Sequence, residues 1–144
     1  MCPSQPKKKL LVLDTNIVLD LFVFNDPTTT ALHNAVVSHR WQWIASVPMR
    51  DELERVLTYS QIVKRLAYHQ TDAAAVLAKF DAHAELIAMA PKATVTCKDP
   101  DDQKFIDLAV AHQAYLFSKD HAVLCMKKRL AALGVRAQTA INFD

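Results

Sequence analysis

The segment at residues 97–109 contains four aspartates within nine positions, so it is the first candidate for a catalytic or metal-binding site. Pro100 suits the start of a helix, and Phe105 and Ile106 follow Asp102 at helical spacing. This spacing places the Asp102 carboxylate on the apolar face of the predicted helix. Asp102 is either a capping residue, the better interpretation of this segment alone, or part of a site that needs acids from elsewhere.

Two other aspartates directly follow predicted strands. Asp14 follows the apolar run at residues 10–13, and Asp120 follows the run at residues 115–118. The carboxyl ends of neighbouring parallel strands meet at one edge of a sheet, so we expect these two carboxylates to lie together. The helix that begins at Asp102 leads into the second of these strands. This connection by itself predicts that the Asp102 carboxylate lies at the opposite edge of the sheet. The pattern alone does not resolve this conflict.

A fourth acid, Glu52, lies at the edge of the apolar stripe of a helix predicted at residues 48–57. Asp51 and Glu54 point away from that stripe and are expected to be surface charges. Glu52 either pairs with Arg55 at i,i+3 or leans inward as part of a site. Several buried carboxylates near one another are costly unless a cation offsets their repulsion. Oxygen ligands without Cys or His clusters favour Mg²⁺ or Mn²⁺.

The composition is that of a globular protein, with 144 residues, 51% hydrophobic and 22% charged. This length predicts a single domain over residues 1–144, with a lead-in at 1–8 and a C-terminal tail at 139–144. The single glycine excludes glycine-rich phosphate loops. A net charge of +2 neither requires nor excludes a nucleic-acid partner.

Three cysteines without CxxC spacing argue against a disulfide framework or a zinc site, and they favour a reducing compartment. The basic N-terminus lacks the apolar run of a signal peptide, and no apolar run has transmembrane length. We therefore expect a cytoplasmic protein without a membrane partner.

Short apolar runs alternate with helical patterns along the chain. Strands are predicted at residues 10–13, 41–47, 93–97, 115–118 and 135–138. Helices are predicted at residues 16–24, 30–39, 48–57, 61–69, 72–89, 102–112 and 121–133, the last ending at Gly134. This alternation predicts an α/β fold with a central parallel sheet of four or five strands and helices on both faces.

Four short motifs in a fixed order carry a resemblance to a known family. They are Leu13-Asp14-Thr15-Asn16, the hexapeptide at residues 52–57, Cys97-Lys98-Asp99-Pro100-Asp101-Asp102 and Ser118-Lys119-Asp120. The chain resembles the PIN domain over about residues 10–135, in particular the VapC-like toxins of toxin–antitoxin pairs. The resemblance implies a three-layer α/β/α fold and metal-dependent RNA cleavage. It also implies that the helix after Asp102 starts beside the carboxyl end of the first strand.

The resemblance assigns roles residue by residue. It implies that one or two Mg²⁺ or Mn²⁺ ions are held by a catalytic quartet, formed by Asp14, Glu52, Asp102 and Asp120. Asn16 matches a polar residue that steadies the first aspartate, or it is a routine helix cap. Ser118 is expected to donate a hydrogen bond behind the metal ligands, and Asp99 to cap its loop. His121 adjoins the site but is more simply a surface residue at a helix start.

The hypothesis for function is in-line hydrolysis of an RNA phosphodiester, which leaves 5′-phosphate and 3′-hydroxyl ends. For five basic residues near the acids, a solvated surface charge is the favoured interpretation and a phosphate contact the weaker one: Arg50, Arg55, Lys98, Lys104 and Lys119. The basic runs at residues 7–9 and 127–129 have the same two interpretations.

Two other functions stay open at the level of sequence. The first is a phosphatase with an aspartyl nucleophile at Asp14, although Asn16 stands where such enzymes usually carry a second Asp. The second is a catalytically silent α/β module that binds a regulator through an acidic pocket. If the chain is a toxin, the resemblance implies a homodimer and an antitoxin, encoded next to it, that covers the acids.

Overall fold

Residues 9–140 are described by a computed structural model, so the predicted lead-in and most of the predicted tail lie outside the described residues. Within this range, five strands form one sheet in which every pairing is parallel. Their order is β3-β2-β1-β4-β5. The strands are β1 (Leu10–Leu13), β2 (Gln42–Ala45), β3 (Ala84–Leu86), β4 (Tyr115–Phe117) and β5 (Ala137–Gln138).

Eight helices flank the sheet in the described part of the chain, which confirms the predicted α/β architecture. They are α1 (Thr15–Phe22), α2 (Thr30–Val37), α3 (Val47–Val56), α4 (Ser60–Tyr68), α5 (Ala73–His83), α6 (Gln103–His112), α7 (His121–Leu124) and α8 (Lys127–Ala132). Short 3-10 turns precede α2 and α6, at Pro27–Thr29 and Pro100–Asp102. Between residues 9 and 140, none of the helices has the length and apolarity needed to cross a bilayer.

The central strand β1 fixes the position of the first acid. Leu11 and Val12 are fully buried, as expected for a strand covered by helices on both faces. Leu11 pairs with Trp43 of β2 on one side and with Tyr115 of β4 on the other. Because β1 and β4 are parallel neighbours, the residues that follow them emerge at the same edge of the sheet.

The predicted helix at residues 72–89 is wrong in its second half, and the predicted strand at 93–97 is wrong as well. The helix α5 ends at His83, and Ala84–Leu86 forms the edge strand β3, paired with β2 from Trp43 to Ala45. The composition of this strand favours a helix, and pairing with β2 overrides that local preference. Residues 93–97 have no regular structure, and the Cys97 N–H instead donates to the Gln103 side chain at 2.6 Å.

The predicted helix at residues 121–133 is divided into α7 and α8 by the turn at Cys125 and Met126. Its predicted end is confirmed, because Gly134 follows α8 with a left-handed φ of 81°. This turn directs the chain into β5 at the edge of the sheet beside β4.

Candidate metal centre

Three aspartates from distant parts of the sequence meet at the carboxyl edge of the sheet. One carboxylate oxygen from each of Asp14, Asp102 and Asp120 lies within 4.8 Å of the other two. Asp14 and Asp102 are buried, and Asp120 is half-buried. Asp14 follows β1 and Asp120 comes shortly after β4, as the strand pattern predicts.

The expected conflict over Asp102 disappears because α6 runs antiparallel to the strands it connects. A helix of ten residues spans about 15 Å, so its end lies at the amino edge of β4 while its start lies at the opposite edge. The expectation from the strand after α6 is therefore wrong, because the start of the helix decides the position of Asp102. Packing of α6 against β1 and β4 keeps this start beside Asp14.

The turn at Pro100–Asp102 orients the Asp102 side chain. Asp99 caps the turn, with its carboxylate accepting from the Asp101 N–H at 3.0 Å. Asp102 stands at the start of α6 but makes no side-chain capping bond, so the capping interpretation does not describe it. Its Oδ2 atom is buried and has no hydrogen-bond partner among the described residues. A buried carboxylate oxygen without a partner is costly, and a bound cation would remove that cost.

Ser118 connects the other two aspartates. It is fully buried, and its Oγ donates to Asp14 Oδ2 at 2.6 Å while it accepts from the Asp120 N–H at 3.0 Å. The Asp120 Oδ1 atom accepts from the Ala122 N–H at 3.0 Å and so caps α7. One hydroxyl group therefore links the Asp14 carboxylate to the backbone of Asp120.

The electrostatics of the cluster favour a cation. Burial raises the pKa of Asp14, with smaller increases from the charges of Glu52 and Asp120, although the bond from Ser118 acts in the opposite direction. The pKa of Asp102 rises from 3.8 to about 8, chiefly through burial, then through a hydrogen bond shared with Asp120 and through the nearby charges. Three such oxygens fit a hard divalent ion, which would relieve their repulsion.

Glu52 lies beside this cluster without being one of its three members. Its Oε1 accepts from Lys104 Nζ at 2.6 Å, and its Oε2 accepts from the Thr15 hydroxyl group. The i,i+3 pair with Arg55 is not formed, because Lys104 of α6 takes that carboxylate and Arg55 is exposed. Glu52 is close enough that its charge contributes to the raised pKa of Asp14.

The Asn16 side chain contacts the loop after β4 and forms no side-chain hydrogen bond with Asp14 in the described structure. Its Oδ1 accepts from the Lys119 N–H at 3.4 Å, a long bond that ties the start of α1 to this loop. His121 is exposed at the first position of α7.

Most of the predicted phosphate-binding cations already have carboxylate partners. Arg50 forms a bidentate pair with Asp81 at 2.7 and 2.8 Å, and Lys104 is bound to Glu52. Lys119 pairs with Asp20 at 2.8 Å. Two exposed candidates form no ion pair within residues 9–140, namely Arg55 and Lys98.

The sequence reasoning missed Asp20, which is only 3% exposed in α1. Burial raises the pKa of this carboxyl group above its usual 3.8, and the bond with Lys119 offsets only part of that increase. The sequence contains a signal for this buried ion pair: an acid in a segment that is otherwise apolar on all sides requires a cationic partner. The ion pair between Asp20 and Lys119 holds in place the residue that precedes Asp120.

A family model described as the PIN domain matches residues 10–122, which include all three aspartates. The chain belongs to the PIN domain family. PIN domains are generally metal-dependent nucleases that bind divalent metal ions, in agreement with the three buried or half-buried aspartates. No curated protein matches the chain.

The raised pKa of Asp102 predicts how pH affects the stability of the metal-free protein. Above about pH 4 the unfolded chain has released this proton, whereas the folded chain holds it until about pH 8. The free energy of unfolding therefore falls as pH rises through this range. In a chelator at pH 8, Asp102→Asn should increase the free energy of unfolding by more than about 1 kcal/mol, as measured by urea denaturation.

The gain should be much smaller at pH 4, where Asp102 is protonated in the folded chain and partly protonated in the unfolded chain. Asp101→Asn, an adjacent substitution of an exposed acid, serves as the matched control and should change little at either pH. An Asp102→Asn protein no more stable than its parent at pH 8 would contradict the electrostatic account.

Proposed function

We propose that this chain is a metal-dependent endoribonuclease and the toxin of a toxin–antitoxin pair. The observation that carries the proposal is the convergence of three carboxylates, one of which has a buried oxygen without a hydrogen-bond partner within residues 9–140. Membership of a nuclease family supports cleavage of a phosphodiester, and RNA is the substrate that a nuclease-type PIN domain suggests. The proposed location is the cytoplasm.

Asp14, Asp102 and Asp120 are the proposed ligands of one or two Mg²⁺ or Mn²⁺ ions. When bound, such an ion lowers the pKa of a water molecule and neutralises charge on the phosphate. Ser118 orients the Asp14 carboxylate and ties it to the backbone of Asp120 through its two hydrogen bonds. Coordination at this site requires Asp102 to release the proton that it holds in the metal-free protein.

Glu52 is proposed to orient the attacking water or to help hold the metal. Its carboxylate is positioned by Lys104 and by the Thr15 hydroxyl group, at a place where its charge reaches Asp14. Hydrolysis in line with the leaving 3′ oxygen gives 5′-phosphate and 3′-hydroxyl ends. Arg55 and Lys98 are the proposed phosphate contacts, because they are exposed and have no carboxylate partner within residues 9–140.

The two alternatives differ from this proposal in measurable ways. A phosphatase would form a phosphoenzyme on Asp14, and a silent binding module would not take up Mn²⁺. The nuclease family favours hydrolysis without a phosphoenzyme.

Replacing Asp14 tests the proposed activity. Asp14→Asn should reduce Mn²⁺-dependent cleavage of a fluorogenic RNA at least about 100-fold, because it removes one ligand and the charge that Ser118 orients. The circular dichroism spectrum should match that of the parent chain. Asp51→Asn, which removes one exposed charge from α3, should retain cleavage within about twofold. Equal cleavage by the Asp14→Asn chain would refute the proposal.

The proposed toxin is a homodimer, held by an antitoxin that covers the acids with a basic side chain. Exposed apolar side chains on α4 support a self-association surface, with Val63 48% and Tyr68 79% exposed. Val63→Glu with Tyr68→Glu should give a monomer by light scattering, whereas Lys64→Gln on the same helix should leave the dimer intact. A monomeric parent chain would contradict the proposed dimer.

A further inference from the structure

The amino edge of the sheet, opposite the acids, has a cavity of about 440 Å³. Tyr115 begins β4 and Arg136 directly precedes β5, so both lie at this edge. Lys127 of α8 also lines the cavity, and Gly134 lies beside it. We call the surface formed by Tyr115, Lys127 and Arg136 the amino-edge groove. No residue of the metal centre belongs to it.

Two cations line the groove, Lys127 and Arg136, and neither has an acidic partner within residues 9–140. Residues 121–143 contain four basic residues and no acid. Lys127, Arg136 and their basic neighbours at 128 and 129 are exposed, and within residues 9–140 none of them forms an ion pair. Near the acids, by contrast, Lys104 and Lys119 are both neutralised by carboxylates. Unpaired cations around a concave surface create a positive potential that attracts a polyanion.

Aromatic rings lie among these cations. Arg136 Cζ is 5.5 Å from the centre of the Tyr115 ring, and Lys9 Nζ is 5.2 Å from the centre of the Trp41 ring. The two rings meet edge to face at 4.8 Å. Both are partly exposed. Rings interleaved with Arg and Lys are the arrangement that holds bases by stacking and phosphates by charge in single-stranded nucleic acids.

We propose that the amino-edge groove binds single-stranded RNA, with a base against Tyr115 and Arg136 and a phosphate beside Lys127. The inference rests on the proposed function for the nature of the nucleic acid, and it adds a binding site remote from the scissile bond. The three residues of β4 span only about 10 Å, so one strand of RNA that passes along α7 and α8 reaches both edges. The preferred substrate is therefore longer than the nucleotides at the cleavage site.

The groove favours RNA over an acidic protein segment. Both would be attracted by Lys127 and Arg136, but only a nucleic acid supplies bases that stack on Tyr115. The contribution of the ring therefore distinguishes the two partners.

The test measures binding of a labelled 12-nucleotide single-stranded RNA by fluorescence anisotropy in a chelator. Lys127→Gln with Arg136→Gln should weaken binding at least about tenfold, and the slope of log affinity against log salt should become shallower by about 1.4. Tyr115→Leu should weaken binding about fivefold or more, whereas Tyr115→Phe should bind like the parent chain. Poly(U) should displace the RNA at far lower concentration than poly-glutamate.

The matched control is Lys64→Gln with Lys79→Gln, which removes the same charge from α4 and α5 and should change affinity less than about twofold. Equal losses in the two double variants would overturn the proposal. Full binding by Tyr115→Leu, or equal displacement by poly-glutamate, would identify a charge-only or acidic-protein surface and would also overturn it. The binding assay contains no divalent ion and so does not depend on nuclease activity. RNA binding would therefore persist if the nuclease proposal failed, and the two failures can be told apart.

Discussion

Repulsion among the carboxylates of Asp14, Asp102 and Asp120 is the constraint on which the rest of the structure depends. The first two are buried, and all three present oxygens within 4.8 Å of one another, an arrangement that opposes folding unless the charge is neutralised. The fold holds them together through the parallel pairing of β1 with β4 and through the start of α6. The metal-free chain reduces the cost by keeping a proton on Asp102. A divalent cation in its place would turn an unfavourable cluster into a stable site.

The remaining charges are divided between the two edges of the sheet. At the carboxyl edge, Lys104 neutralises Glu52 and Lys119 neutralises Asp20, which leaves Arg55 and Lys98 as the predicted phosphate contacts without an ion pair in the described chain. At the amino edge, Lys127 and Arg136 have no carboxylate partners within the described chain. This division fits the proposed cation at one edge and the proposed RNA strand at the other. The net charge of +2 gives no sign of this separation of charge between the two edges.

The sequence predicts the sheet and the strand-end acids well, because buried parallel strands have apolar runs that end at polar residues. The alternation of strands and helices could also have located Asp102, because a helix between parallel strands begins at their carboxyl edge. The expectation instead followed the strand after α6, and only the family resemblance gave the observed position. The contact between Glu52 and Lys104 joins residues 52 positions apart, beyond the reach of helical spacing. The edge strand at Ala84–Leu86 has helix-favouring residues, and only its pairing with β2 makes it a strand.

The most direct test is the anomalous scattering of Mn²⁺ in crystals of this chain grown at pH 8. Our account predicts a single strong peak, or a close pair, within coordination distance of carboxylate oxygens from Asp14, Asp102 and Asp120. Crystals of Asp102→Asn under the same conditions should lose or greatly weaken that peak. A fully occupied Mn²⁺ peak elsewhere, with these three carboxylates bare or separated from one another, would contradict the account.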